Sequence, residues 1–347
     1  MTFLSLQLVQ FRNHRKATYS FSPATTIVVG PNASGKTNLL EAIRLLSTAS
    51  SFRGAEEATL VSWGKEHAQI RGEVLDGKET TRLTIHIQVD GDSGHTQKKL
   101  LVNNISRRTQ DFIGHLPTVV FAPHELELVN GAPSLRRHYL DSILVQTNLA
   151  YKHALAEYEG GIRRRNKILE RLQEGFGKRD ELDFWDEHLG LHGTTLMEFR
   201  AKLFKFFVEQ RNPMGIFFYT YIPSVKGISI KQRLVDTRER DIAAGMTLSG
   251  PQRDDFTFRF DGHDLALFGS RGEQRSAILN LKLLELRYLE SVLDKKPLVL
   301  LDDIFSELDD AHRRLVFQAV SAHQSIITTT DERLVRRKRG LTMIELS

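Results

Sequence analysis

The chain has 347 residues, 40% hydrophobic and 26% charged, with a net charge of +5 and no cysteine. That length suits about two ordinary domains, or one α/β unit carrying a large insertion. The composition excludes a disordered tail, a collagen-like fibre and a disulfide scaffold; the missing cysteines exclude thiolate metal sites and fit a reducing compartment.

Apolar runs reach about six residues against the roughly 20 needed to cross a bilayer, so no membrane span is expected. Residues 1–5 hold no basic stretch and no small-residue cleavage site, so no signal peptide is expected and the chain is expected to be cytoplasmic. The small basic excess permits nucleic-acid binding without demanding it.

In chain order, Phe3, Leu4, Leu6 and Leu8 alternate as on a half-buried strand that turns near Phe11-Arg12-Asn13. A second strand follows at 17–21, and the β-branched run 25–29 suits a central strand buried on both faces. The stretch 30–35 fits only a tight loop, after which Leu39, Leu40, Ile43 and Leu46 restore helical period over 36–47. From 68 to 102, short alternating strands are separated by the hairpin signals Asp76-Gly77, Asp90-Gly91 and Asn103-Asn104. One more strand is expected at 119–123.

Beyond 125 the texture is helical. Long helices are predicted over 134–174 and 183–210, with breaks at Gly160-Gly161 and Gly175-Phe176-Gly177. Strands are predicted at 217–221, 246–248 and 256–260. The α/β texture then returns with helix 272–293, strand 298–301, helix 310–322 and strand 325–329. No extended coiled-coil arm is expected.

Gly30-Pro31-Asn32-Ala33-Ser34-Gly35-Lys36-Thr37 matches G-x-x-x-x-G-K-[ST] in full. Its glycines let backbone N–H groups face phosphate oxygens, Lys36 brings a point charge to the β- and γ-phosphates, and the Thr37 hydroxyl suits Mg²⁺. A glycine turn entering a helix is the plain alternative, outweighed by the strand–loop–helix context. The apolar run 298–301 ends in Asp302 and Asp303. Asp302 suits the metal, and Asp303 suits the attacking water as orienting group or base; a core strand surfacing at a solvated acid pair is the alternative. Between these, Gly269-Ser270-Arg271-Gly272-Glu273 opens a helix. It reads either as an ordinary N-cap or as a second phosphate cup, serving the nucleotide of a neighbouring subunit.

The phosphate loop, the Ser270–Glu273 stretch, the acid pair and Ser306-Glu307-Leu308-Asp309 in the place of a D-loop resemble ABC-type ATPases of the SMC-head kind. The ordered segments 6–13, 51–54, 121–123, 136–141, 249–255 and 301–309 are similar to the RecF family of DNA-repair proteins, and the resemblance runs from residue 4 to about 331. It implies an α/β fold: an ABC-type P-loop ATPase head, with a mixed sheet, a RecA-like core and added antiparallel β, joined to a mainly helical second lobe. Lobe I is then 1–125 with 295–347, and lobe II is 126–294. Implied cofactors are ATP and Mg²⁺, with Arg12, Asn13, Gly272 and Glu273 joining the phosphate loop and Ser270 as nucleotide-binding residues. Lys36 and Asp303 are the implied catalytic pair, and Thr37 and Asp302 the metal ligands. Implied partners are a second copy in an ATP-dependent homodimer, gapped or junction DNA bound without sequence preference, and RecO, RecR and RecA.

Several positions depart from transporter ATPases: Gly269 for the usual Leu, Glu273 for Gln, Asp303 for Glu, and no switch His in 326–331. The shorter Asp303 implies slow hydrolysis, stimulated by DNA. Thr329 or Thr330 stands at the switch position, and His124 and Glu125 are the nearest polar candidates for a Gln-loop. A transporter-associated ATPase is the alternative function, opposed by the 266 positions between Lys36 and Asp302. A nucleotide-gated scaffold with vestigial hydrolysis is a third reading. The basic groups Arg163, Arg164, Arg165, Lys167 and Arg171, and Arg333, Arg336, Arg337, Lys338 and Arg339, read as solvated faces or, on the resemblance, as contacts to DNA phosphates. The scattered histidines read as core or surface residues, and Phe199, Leu203, Phe206 and Phe207 as one buried helix face.

Overall fold

The computed structural model describes all residues except 54–55, 91–94, 211–216, 307, 331–341 and 347. The chain divides into two compact units, 1–125 with 281–347, and 126–280. The second division falls inside helix Arg271–Leu293 rather than at 294/295. Leu281, Leu284 and Leu289, buried in its later turns, count with the first unit, and no shift in composition marks a boundary inside a continuous helix.

The strands are β1 (Thr2–Phe11), β2 (His14–Ser20), β3 (Thr25–Val29), β4 (His67–Asp76), β5 (Glu79–Val89), β6 (Thr96–Val102), β7 (Ile105–Arg107), β8 (Thr118–Phe121), β9 (Phe217–Ile222), β10 (Asp255–Phe260), β11 (His263–Asp264), β12 (Leu298–Asp302), β13 (Ser325–Thr329) and β14 (Thr342–Glu345). Among the described residues, the first unit holds an antiparallel sheet, β2-β1-β4-β5-β6-β7, and a parallel sheet, β14-β3-β13-β12-β8. Strands β8, β12 and β13 are buried at every position, which suits the apolar stretches 119–121, 298–301 and 326–327 at their centres.

In β1 the buried set is Phe3, Leu6, Leu8 and Phe11. Strict alternation fails between Phe3 and Leu6 because the register against β4 shifts between Phe3 and Ser5, a bulge that turns the following residues over. The loop between β6 and β7 is Asn103-Asn104, with φ of +50° and +66°, the left-handed pair of a tight hairpin.

Helix Lys36–Thr48 touches β4 and β5 of one sheet and β8, β12 and β13 of the other. It is therefore buried nearly all round, and its polar residues need partners inside the protein. The Arg44 guanidinium donates to the Thr118 carbonyl at 2.8 Å and hydroxyl at 2.7 Å, and Thr118 donates to Ser47 at 2.9 Å.

The second unit holds the antiparallel sheet β11-β10-β9 and the helices Pro133–Thr147, Leu149–Gln173 and Glu181–Glu209. The expected break at Gly160-Gly161 is absent. The chain turns at Asn148 instead, whose side chain accepts the Tyr151 N–H at 3.0 Å and starts a new helix. Residues 246–248 are not a strand: Thr247 is buried and its hydroxyl accepts from Arg165 at 2.9 Å. Leu203, Phe204 and Phe207 are buried, and the Phe204 ring packs on Tyr221 and Phe256. Strand β14 has no counterpart in the sequence reading.

Candidate functional site

Strand β3 delivers the chain into the phosphate loop at the carboxyl edge of the parallel sheet, where α/β folds place their ligands. The loop must curl sharply. Gly35 has φ of +100°, and a Cβ there would lie 2.6 Å from the Asn13 amide and 2.8 Å from His14 Nε2. At Gly30 a Cβ would meet the Leu346 carbonyl at 2.5 Å and Ser34 Oγ at 2.6 Å. Pro31 accepts the Ser34 N–H at 3.3 Å, and Ala33 sits at φ +66°. No side chain caps the helix that follows, and its first turn holds no acid, so its amide end stands open to an anion.

Lys36 is only 7% exposed, and its ammonium donates to the Gly30 and Pro31 carbonyls at 2.8 Å each. The Thr37 hydroxyl donates to Asp302 Oδ1 at 2.9 Å, joining the loop to the end of β12. Thr328 of β13 donates to the same carboxylate oxygen at 2.8 Å. Asp303 turns in the left-handed region, φ +49°, and its N–H donates to Thr328 Oγ1 at 3.0 Å. Its side chain is half-buried.

The turn between β1 and β2 sits against the same loop. Asn13 Nδ2 lies 3.4 Å from the Ala33 carbonyl, and its Oδ1 accepts from Asn38 at 2.9 Å. Arg12 is held bidentately by the fully buried Glu41, at 2.9 and 2.8 Å, and donates to the Thr59 carbonyl at 3.0 Å. Ser51 donates to Glu41 at 2.6 Å. His14, absent from the sequence reading, has Nε2 3.2 Å from the Gly35 carbonyl and Nδ1 3.1 Å from the Tyr19 hydroxyl. One neutral tautomer, protonated on Nε2, serves both partners, and burial holds the His14 pKa below its ordinary 6.5. Thr328 was also missed; the signal was a threonine next to the expected switch position.

The Gln-loop candidates are otherwise engaged. Glu125 accepts the Ala122 N–H at 3.1 Å and lies 2.9 Å from the Lys282 ammonium. That ammonium is also 2.6 Å from Glu285, whose carboxyl burial pushes up in pKa. His124 stacks on Phe52, 5.3 Å between ring centres. In the D-loop segment, Asp309 caps helix Asp310–Val320 by accepting the His312 N–H at 2.8 Å. Glu307, Gly54, Asp331 and the basic residues Arg333, Arg336, Arg337, Lys338 and Arg339 lie outside the described residues.

In the second unit, Ser270 donates from its N–H and hydroxyl to the Glu273 carboxylate, at 2.8 and 2.9 Å, and accepts the Glu273 N–H at 3.3 Å. This is a capping box, and those bonds hold the Glu273 pKa below the usual carboxylate range. The Gln274 amide donates to the Leu265 carbonyl at 2.9 Å and fixes the turn before it. Ser270 and Gly272 are exposed, as are Leu267 and Phe268 just ahead of them.

The run 163–165 does not act as one patch. Arg165 is fully buried and paired with Asp186 at 2.8 Å and Asp241 at 2.7 Å, so it is not available to DNA; Arg163, Arg164, Lys167 and Arg171 are exposed. The segment 249–255 is likewise structural: Asp254 accepts from Arg200 at 2.9 Å and Tyr221 at 2.5 Å, and Asp255 holds Arg136 at 2.6 Å.

The family described as RecF/RecN/SMC N terminal domain matches residues 3–346. The DNA replication and repair protein RecF of Moorella thermoacetica is 36% identical over 344 residues, covering 95% of this chain and 90% of that protein. The protein of the same description from Lachnoclostridium phytofermentans is 33% identical over 345 residues, covering 95% and 93%. The solved structure of the recombination mediator protein RecF-ATP in the RecFOR pathway superposes with a TM-score of 0.86 at 31% identity, covering 99% of this chain and 95% of that one. An Smc head bound to the C-winged helix domain of ScpA, 16% identical with a TM-score of 0.50 over 97% and 91%, shares the fold alone.

Proposed function

The chain belongs to the RecF family, and from that premise we propose that it is an ATP-hydrolysing, DNA-binding protein of recombinational repair that dimerises on ATP. The observation that carries the reading is the Thr37–Asp302 hydrogen bond, which brings a loop hydroxyl and a strand carboxylate together as hard oxygen ligands. The residues fit Mg²⁺ and ATP in a second respect: Ser34 Oγ is buried in the loop without a hydrogen-bond partner among the described residues, beside an uncapped helix start.

Thr37 and Asp302 would hold the metal, and Mg²⁺ there would supply charge neutralisation at the nucleotide's phosphates. Lys36 places its ammonium inside the loop. Asp303 orients the attacking water and takes its proton on the carboxylate, and a side chain one methylene shorter than Glu is expected to make turnover slow. Asn13 and Arg12 line the loop, with Arg12 fixed by Glu41.

Between two copies, the Ser270 cup of one holds the γ-phosphate bound by the other, an isologous arrangement. The exposed Leu267 and Phe268, 76% and 74% accessible, support a partner surface at that point. DNA is held through its phosphates by exposed basic residues including Arg163, Arg164 and Lys167. RecO, RecR and RecA are its proposed partners in loading at gaps. No described helix is long and apolar enough to cross a membrane.

The test is equilibrium binding to gapped, blunt and single-stranded DNA, with and without ATP, at two salt concentrations. Tighter, ATP-dependent and salt-sensitive binding to gapped DNA is expected. Equal, ATP-independent binding to all three would overturn the reading.

A further inference from the structure

Helices Leu149–Gln173 and Glu181–Glu209 pack against each other, and where they meet a cluster of metal-ligand side chains gathers. His153 and Glu157 stand one turn apart on the first helix, and His188 and His192 one turn apart on the second. Ligand atoms of Glu157, His188 and His192 all lie within 4.8 Å of one another. His188 Nε2 is 3.5 Å from a Glu157 carboxylate oxygen. The rings of His188 and His192 are 4.6 Å apart, and the His153 ring lies 5.7 Å from that of His192.

Two glycines set this closeness. A Cβ at Gly161 would lie 2.9 Å from Leu189 Cδ2 and 3.1 Å from His188 Cδ2, and one at Gly193 would lie 2.9 Å from the Tyr158 ring. The helices are thus drawn together on either side of the cluster. Paired i, i+4 ligands on facing helices are a recurrent way for a helical bundle to hold a metal. Thirteen histidines look scattered along the sequence, and only the pairing of the two helices reveals the set.

We propose that Glu157, His188 and His192 bind a divalent transition-metal ion of the zinc class, with His153 in reach as fourth ligand. Imidazoles with one carboxylate select Zn²⁺, Co²⁺, Ni²⁺ or Cu²⁺ over Mg²⁺, which takes oxygen ligands. The site is therefore distinct from the one at Thr37 and Asp302, and its ion staples the two helices together.

Trp185 provides the readout, its ring 5.6 Å from that of His188. In a Trp63→Phe background it is the sole tryptophan. Chelator-treated protein is titrated with Co²⁺ and Ni²⁺ in excess Mg²⁺, followed by visible absorption and tryptophan quenching, with Zn²⁺ as competitor. One equivalent should bind, and His188→Ala, His192→Gln and Glu157→Gln should each weaken it at least about tenfold. Thr37→Ala should bind like the parent. Far-UV circular dichroism checks that each variant is folded. Absence of stoichiometric binding by the parent, or equal binding by a folded His188→Ala/His192→Gln double variant, would overturn the proposal.

Discussion

Asp302 accepts two hydroxyls, from Thr37 and Thr328, so its carboxylate is positioned by the strand beside it as well as by the loop. Thr328→Val removes one support, and the Mg²⁺ concentration for half-maximal ATP turnover is expected to rise about tenfold. Asp303→Asn keeps a side chain that tolerates the left-handed backbone while removing the base. Turnover should fall at least about 100-fold with ATP affinity little changed, as read by steady-state hydrolysis and equilibrium dialysis. His14 ties stability to pH. Its folded pKa lies below 6.5, so on acidification the unfolded chain takes the proton first. Its contribution is complete above pH 6.5 and is lost as pH falls below that value. Urea unfolding at pH 7 and pH 5.5 should show a larger loss in the parent than in His14→Gln. The loop residues were readable because their motif is local in sequence; His14 and Thr328 were not, because a hydrogen bond to a loop carbonyl or to a neighbouring strand leaves no spacing to read.

Arg165 shows how far a helix separates neighbours in sequence. It is buried between Asp186 and Asp241 while Arg163 and Arg164 face solvent. Removing one member of a buried ion pair strands the others, so Arg165→Met should destabilise by about 3–5 kcal/mol in chemical denaturation. Arg163→Ala should cost under about 0.5 kcal/mol. A salt titration of DNA binding separates them again, since only the exposed arginine should reduce the salt slope. The helix break was misplaced for a related reason. Gly160-Gly161 looks like a breaker, yet Gly161 is where Leu189 and His188 pack closely, while Asn148 ends one helix and caps the next with a single side-chain bond. Glycine in a helix reports either flexibility or close approach, and the sequence alone cannot separate the two.

At the scale of the molecule, the texture changes from strand to helix near 125, where one division of the chain falls, while the other falls inside the continuous helix Arg271–Leu293, which no composition shift marks. Assembly is the property to measure here. ATP should shift the parent from monomer to dimer in sedimentation, and Ser270→Arg should stay monomeric while still binding ATP. That substitution also removes the capping hydroxyl, worth about 1 kcal/mol, so urea unfolding of the variant checks separately that its fold is retained.

Strand β14 lies parallel to β3, and the Leu346 N–H donates to the Val29 carbonyl at 2.8 Å, one residue before the loop begins. Leu346 also fills the space over Gly30. The segment 342–346 is thereby woven into the rim of the phosphate loop, and removing its backbone partners would leave that side of β3 a bare margin where the loop begins.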